Sequence, residues 1–236
     1  MSSAVSYEKA GDVALVTMDD GKANALSHAL LDALTEALDR AETEAKALVL
    51  AGRRGRFCAG FDLKTMMAGP DSLTGLMTQG GEFFLRLYTF PVPVVAASTG
   101  HALAGGALLL LSCDLRIGAD GPFKVGLNET QIGLPLPLLG RELARDRLSP
   151  RHLQAATTLA QIYDPQAAVD VGYLDRIVTA DALLDTARDE AARLAGSLSQ
   201  KAFAATKLRL REATVKTIRD GFQPDLAALA ALAPTS

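Results

Sequence analysis

Gly100-His101-Ala102-Leu103-Ala104-Gly105-Gly106-Ala107-Leu108 is the stretch on which the fold turns. It follows residues 92–98, a β-branched apolar run that reads as a buried strand ended by Gly100. Gly105-Gly106 then opens an apolar helix through Leu111, and residues 114–117 return to strand. Gly55-Arg56-Phe57-Cys58-Ala59-Gly60-Phe61-Asp62-Leu63 has the same grammar. There the buried strand at 47–50 breaks into a glycine- and arginine-rich loop over 51–61, and a helix follows. Strands and helices alternate in this way through the first two thirds of the chain, which is the pattern of an α/β fold.

The flanks fit the same architecture. Residues 5–9 and 13–18 are short β-rich runs separated by Gly11-Asp12, a hairpin. Ser27 caps a helix to about residue 41, with Leu30, Leu31, Leu34 and Leu38 on one face. Residues 74–88 read as helix and 123–126 as strand. From 129 onward the pattern is helical to the C-terminus, broken at Pro135, Pro137, Pro150, Pro165 and Thr179, with a strongly amphipathic region over 201–221. The 236 residues suit a single domain (1–236), with a core over 1–190 and a helical C-terminal region over 191–236.

Composition excludes several classes of function. A net charge of -3 with no basic stripe beyond Arg53-Arg54-Gly55-Arg56, and no tryptophan, argues against a nucleic-acid binder. Those arginines read as a solvated loop or as groups that reach ligand phosphates. Cys58 and Cys113 form neither a metal signature nor a disulfide framework, and none of His28, His101 and His152 has ligand spacing to another, so no metal is expected. Met1-Ser2-Ser3-Ala4 carries no targeting signal, and the longest apolar runs are too short for a bilayer. The expectation is a soluble cytoplasmic protein that binds neither membrane nor nucleic acid.

Glu129 stands out in Phe123-Lys124-Val125-Gly126-Leu127-Asn128-Glu129-Thr130-Gln131, a mostly apolar and glycine-rich setting. Asn128 and Gln131 have the spacing of a capping box, so Glu129 reads either as a first-turn charge or as a general base held away from water. The two glycine segments supply the complement to a base. Unpaired N–H groups at two helix starts that face each other form an oxyanion hole.

Taken together, these segments resemble the crotonase family, the enoyl-CoA hydratases and isomerases, from about residue 10 to about 215. Lys22-Ala23-Asn24-Ala25-Leu26 matches the first family motif, Phe57 to Leu63 the second, and Gly100 to Gly106 with Cys113-Asp114-Leu115-Arg116-Ile117 the third. The resemblance implies a spiral of ββα units with a helical C-terminal region, assembled as a homotrimer or dimer of trimers. It implies an acyl-CoA substrate in fatty acid oxidation and no cofactor, coenzyme A being part of the substrate. The N–H groups of Phe61 and Gly105 would hold the thioester oxygen. Lys22, Ala23, Leu26, Ala59, Asp62, Leu63, Lys64 and Gly106 would line the CoA and substrate path. Met66, Met67, Leu76 and Phe84 are candidates for the floor of the acyl pocket. Phe203 and Lys207 lie in the region that would close the adenine side, but match no motif there.

The family's hydratases use two glutamates. One aligns with Glu129 and the other with Leu108, which cannot transfer a proton. A single base with an oxyanion hole suffices for moving a double bond from 3-enoyl-CoA to trans-2-enoyl-CoA. Gly126-Leu127-Asn128-Glu129-Thr130-Gln131 resembles the mitochondrial-type Δ3,Δ2-enoyl-CoA isomerases, which also carry a leucine at the first glutamate's place. Hydration, other thioester-enolate chemistry, and non-catalytic acyl-CoA binding are the alternatives that the residues leave open.

Overall fold

Gly52 and Gly100 sit at corners where the backbone of one strand pair lies directly on another. A Cβ on Gly100 would overlap the backbone of Gly55, and one on Gly52 the backbone at Arg56–Phe57. At both corners the chain leaves one sheet and enters a second, so the strand that precedes each glycine is continued rather than ended. The computed structural model describes residues 4–232, and Met1–Ser3 lies outside them.

The elements in chain order are β1 (Val5–Ala10), β2 (Val13–Met18), α1 (His28–Glu44), β3 (Ala47–Gly52), β4 (Gly55–Cys58), α2 (Leu63–Met66), α3 (Pro70–Tyr88), β5 (Val94–Ser98), β6 (Gly100–Leu103), α4 (Gly105–Ser112), β7 (Leu115–Ala119) and β8 (Val125–Gly126). A 3₁₀ turn (Glu129–Ile132) follows, then α5 (Leu138–Arg147), α6 (Leu153–Ala156), α7 (Pro165–Val171), β9 (Arg176–Val178), α8 (Leu183–Ser197) and α9 (Gln200–Leu232). The larger sheet has the order β1-β2-β3-β5-β7-β9, and the smaller one β4-β6-β8. Among the strand pairs of the described residues, β1–β2 is antiparallel and the rest are parallel. Each of β3, β5 and β7 hands the chain to β4, β6 and β8 in turn, and helical structure follows each time. That succession is the expected spiral of ββα units.

Three elements depart from the sequence reading. The loop expected over 51–61 contains β4, a strand of four residues masked by the glycines and arginines in and around it. Gly100 begins β6 instead of ending β5. The helical run expected after residue 129 is interrupted by β9, three residues that extend the larger sheet by pairing with β7. The hairpin and the Ser27 cap lie where the residues place them, with the Ser27 hydroxyl accepting from the Leu30 N–H at 3.3 Å.

The core lies between the larger sheet and the helices α1, α3 and α4, with α8 packed on the outer face of β3, β5 and β7. Helix α4 is buried on every side, as its uniformly apolar sequence requires. Helix α9 runs unbroken to Leu232 through Pro224 and packs on α3 and α5. Its root is a buried ion cluster. The Asp114 carboxylate meets Lys207 Nζ at 2.7 Å and Arg211 at 3.0 Å, and it accepts the Val94 N–H at 2.9 Å. Burial pulls the Lys207 ammonium down to about 8 despite Asp114. Lys207, with the Phe203 ring beside it, is therefore a structural group rather than part of a ligand pocket. Among the described residues no helix is long and apolar enough to cross a membrane.

Replacing Asp114 by Asn removes the one carboxylate shared by two buried cations. We expect chemical denaturation to show a loss of about 3–5 kcal/mol. A loss below about 1 kcal/mol would mean that the cluster does not anchor α9.

Candidate active site

Three parallel neighbours, β4, β6 and β8, end side by side. The registers Cys58↔Ala102 and Leu103↔Gly126 place their carboxyl ends together. The chain leaves β4 into Phe61, β6 into Gly105 and β8 into Glu129. The site residues read from three distant motifs thus emerge from one edge of the smaller sheet, all in the same direction.

The first two are in direct contact. Phe61 forms a parallel bridge to Leu26, with the Leu26 N–H donating to Gly60 at 2.8 Å and the Asp62 N–H donating to Leu26 at 3.1 Å. A Cβ on Gly60 would lie 2.9 Å from Ala104 Cβ and 3.2 Å from the Gly105 nitrogen, so the Gly60 turn lies directly against the start of α4. Gly60 also has φ +100°, a conformation that glycine adopts freely. Ala104 holds φ 48° at the N-cap of α4, a strained backbone for a residue with a Cβ. That strain delivers the Gly105 N–H to the end of the sheet without a capping side chain. Neither the Phe61 nor the Gly105 N–H has a backbone acceptor among the described residues.

Glu129 is the first residue of the 3₁₀ turn and 8% exposed. The capping box does not form, since Asn128 makes no side-chain cap bond, and its Oδ1 is buried without a partner. Gln131 instead ties the turn to the Ala160 carbonyl at 2.8 Å. Glu129 Oε2 is buried and also has no hydrogen-bond partner. Burial pushes the carboxyl up to about 7, opposed in part by its own backbone N–H. Tyr173, wholly buried, is close enough for the Glu129 charge to help hold its hydroxyl above the usual range, after burial as the main cause. Asp120, the nearest acid on the N-terminal side in sequence, is exposed, and Glu142, on the C-terminal side, pairs with Arg145.

An apolar cavity lies beside the amides. Phe61, Phe84, Leu108, Met77, Leu139 and Phe222 are among its walls. Of the expected floor residues Phe84 takes part. Leu76 is core, Met67 is 79% exposed, and Met66 packs beneath α9 with Leu226. Leu108 is buried at the wall, where the two-glutamate arrangement would need an acid.

The expected CoA path divides into rim and frame. Lys22, Ala59, Leu63 and Lys64 are exposed, and Ala23 and Asp62 are half-buried. Asp62 caps α2 through the N–H groups of Lys64 and Thr65. Leu26 is fully buried, and Gly106 is seated so tightly on the Cys58 carbonyl that a Cβ would overlap it, so both frame the site. Asn24, absent from the expected set, organises this loop. It is fully buried at φ 53°, and its Nδ2 donates to Met18 and to the Arg56–Phe57 backbone at 3.0–3.2 Å. Arg53 braces the same loop through the Lys22 carbonyl, Arg54 pairs with Asp181 at the surface, and Arg56 bonds the Gly55 carbonyl. His101 is a strand residue whose Nδ1 accepts the Lys124 N–H at 3.0 Å. No group of residues that could hold a metal ion occurs among the described residues.

Residues 8–232 match the family model for enoyl-CoA hydratase/isomerase. The chain belongs to this family. Human mitochondrial enoyl-CoA delta isomerase 1 is 30% identical over 227 residues, covering 90% of this chain and 75% of the human protein. The crystal structure of human mitochondrial delta3-delta2-enoyl-CoA isomerase superposes with a TM-score of 0.93 at 29% identity, covering 98% of this chain and 92% of that one. An enoyl-CoA hydratase/isomerase family protein from Pseudomonas syringae gives 0.93 at 37% identity, covering 96% and 98%. The crotonase-type spiral read from the residues is therefore the fold of this chain.

Glu129 couples the site to stability. Its carboxyl ionises near 4.5 when unfolded and near 7 when folded. Between those values the folded state holds the extra proton, so stability falls as pH rises through that window. Glu129→Gln removes the penalty, and we expect it to stabilise the protein by about 3 kcal/mol above pH ~8 and by almost nothing near pH ~4. Equal effects at both pH values in thermal denaturation would contradict the buried, unpaired carboxylate.

Proposed function

We propose that this enoyl-CoA hydratase/isomerase family protein is an enoyl-CoA isomerase that converts 3-enoyl-CoA to trans-2-enoyl-CoA with Glu129 as its only acid–base group. The observation that carries the reading is a buried Glu129 whose Oε2 has no partner, with its carboxyl raised to about 7, in a site where position 108 is leucine. A carboxyl poised there is a base at neutral pH and still strong enough an acid to return the proton. The human isomerase relative supports the same direction.

In this reading Glu129 takes a proton from C2. The C2–H electron pair delocalises through the former 3-ene and onto the thioester oxygen. The Phe61 and Gly105 N–H groups hold that dienolate, each contributing about 3–4 kcal/mol by analogy with other oxyanion donors. The same carboxyl returns the proton at C4, so no water, redox partner or second acid is consumed. Lys22, Ala59, Leu63 and Lys64 form the exposed rim over which CoA would lie, with Ala23 and Asp62 behind it. No cofactor is required beyond the CoA of the substrate. Leu208 and Leu210, exposed on α9, support assembly into a trimer or dimer of trimers through that helix. Buried free cysteines suit a reducing cytoplasm.

With 3-hexenoyl-CoA as substrate, Glu129→Gln should lower kcat/KM by about 10²–10⁴-fold while the far-UV circular dichroism is unchanged. For the wild-type protein kcat/KM should fall as pH drops through about 7, following the Glu129 base. Retained activity in a folded Gln variant would sink the proposal.

A further inference from the structure

Helix α3 contains two adjacent glycines in its interior, Gly80 and Gly81. Mid-helix glycine is unfavourable unless something needs the backbone bare. Here two rings do. A Cβ on Gly80 would overlap the Phe61 ring, and a Cβ on Gly81 would overlap the Phe222 ring. Both rings line the apolar cavity beside the oxyanion amides, and the space they leave is about 10 Å³. That is room for about one water, so an acyl tail can enter only by displacing a wall.

The walls are not equally free to move. Leu108, Phe84 and Leu139 are all nearly fully buried in the main core. Phe61 is half-buried, but its backbone is fixed by the Leu26 bridge. Phe222 is half-buried and belongs to α9, whose main contacts with the rest of the fold are helix–helix contacts with α3 and α5. The Asp114 cluster anchors α9 at its root, and near Phe222 the polar tie is made by Asp225. Helix α5 has no cap of its own, since its N-cap residue is Pro137. The Asp225 carboxylate, one turn beyond Phe222, supplies the cap from outside. It accepts the Leu138 N–H at 2.6 Å and pairs with Arg141 at 2.9 Å.

We propose that Phe222, seated on Gly81 and held by the Asp225 cap on α5, is the gate that limits the acyl tail and makes this site selective for short-chain acyl-CoA. The proposal deepens the isomerase reading and rests on it for placing the acyl group in this cavity. Asp225 acts as a positioning residue. Any acyl tail must displace Phe222, a longer tail further than a shorter one, and removing the ring removes that requirement.

Calorimetric binding of saturated butanoyl-, hexanoyl-, decanoyl- and hexadecanoyl-CoA tests the gate without needing turnover. Wild-type protein should bind the two short esters more tightly than the two long ones. Phe222→Ala should raise the ratio of decanoyl- to butanoyl-CoA affinity at least 10-fold, and Phe222→Leu, the variant that best preserves packing, at least 3-fold. Asp225→Ala should move the ratio in the same direction, a change that a purely local cap would not produce. Wild-type ratios in folded Phe222→Leu and Phe222→Ala proteins would overturn the gate. Parallel turnover of 3-hexenoyl- and 3-decenoyl-CoA separates the two ideas. Length-dependent binding that shifts in the variants, without isomerisation, would remove the isomerase reading and keep the gate. Isomerisation with an unshifted length profile would do the reverse.

Discussion

A carboxylate buried without a partner is the constraint around which this site is arranged. Leaving Glu129 in an apolar setting costs stability at neutral pH, since burial holds its carboxyl near 7. Ordinary folding would relieve that cost with a cation or a full set of hydrogen bonds. Here Oε2 has no partner, no basic group acts on the carboxyl, and its own backbone N–H is the one group that favours the charge. The same residue that weakens the fold is thereby suited to take up and return a proton. Two buried ion clusters elsewhere are neutralised. Asp114 is matched by Lys207 and Arg211, and Arg116 is clasped by Asp175 at 2.6 and 3.0 Å. The contrast between these satisfied ions and Glu129 distinguishes scaffold from site.

The double sheet makes the arrangement possible. Glycine corners let the chain pass from the larger sheet to the smaller one within a few residues, so three consecutive turns end their strands at one edge. Two of those ends present N–H groups and the third presents the carboxylate. Strain at Ala104 and the bare backbone at Gly60 bring the first two into contact. Leu108, one turn into α4, closes the same region with hydrocarbon, and α9 with Phe222 closes the cavity from the C-terminal side.

Much of this was legible in the residues. Periodicity and turn chemistry locate the hairpin, α1 with its Ser27 cap and the wholly apolar α4, because each is decided by local sequence. The strands β4, β6 and β9 were not legible, because glycine and arginine hide the first, Gly100 resembles a terminator before the second, and three residues are too few for periodicity in the third. At the site, the three residues that the motifs single out, Glu129, Phe61 and Gly105, follow adjacent strand ends. Asn128-x-x-Gln131 reads as a capping box, yet tertiary structure spends Gln131 on Ala160 instead. Gly106 reads as a substrate contact, and its bare backbone also permits the helix–strand approach at Cys58. The brace that Asn24 gives the Arg56–Phe57 backbone, the Asp225 cap on α5 and the Phe222 wall could not be read, since each acts on residues more than thirty positions away or across a helix pair.

The central claim is that a lone carboxylate with two backbone amides moves a proton and does not add water. The most direct measurement gives the wild-type protein 3-hexenoyl-CoA and crotonyl-CoA side by side and follows the products. The account predicts trans-2-hexenoyl-CoA from the first and almost no 3-hydroxybutanoyl-CoA from the second. Hydration of crotonyl-CoA at a kcat/KM equal to or above that of isomerisation would contradict it.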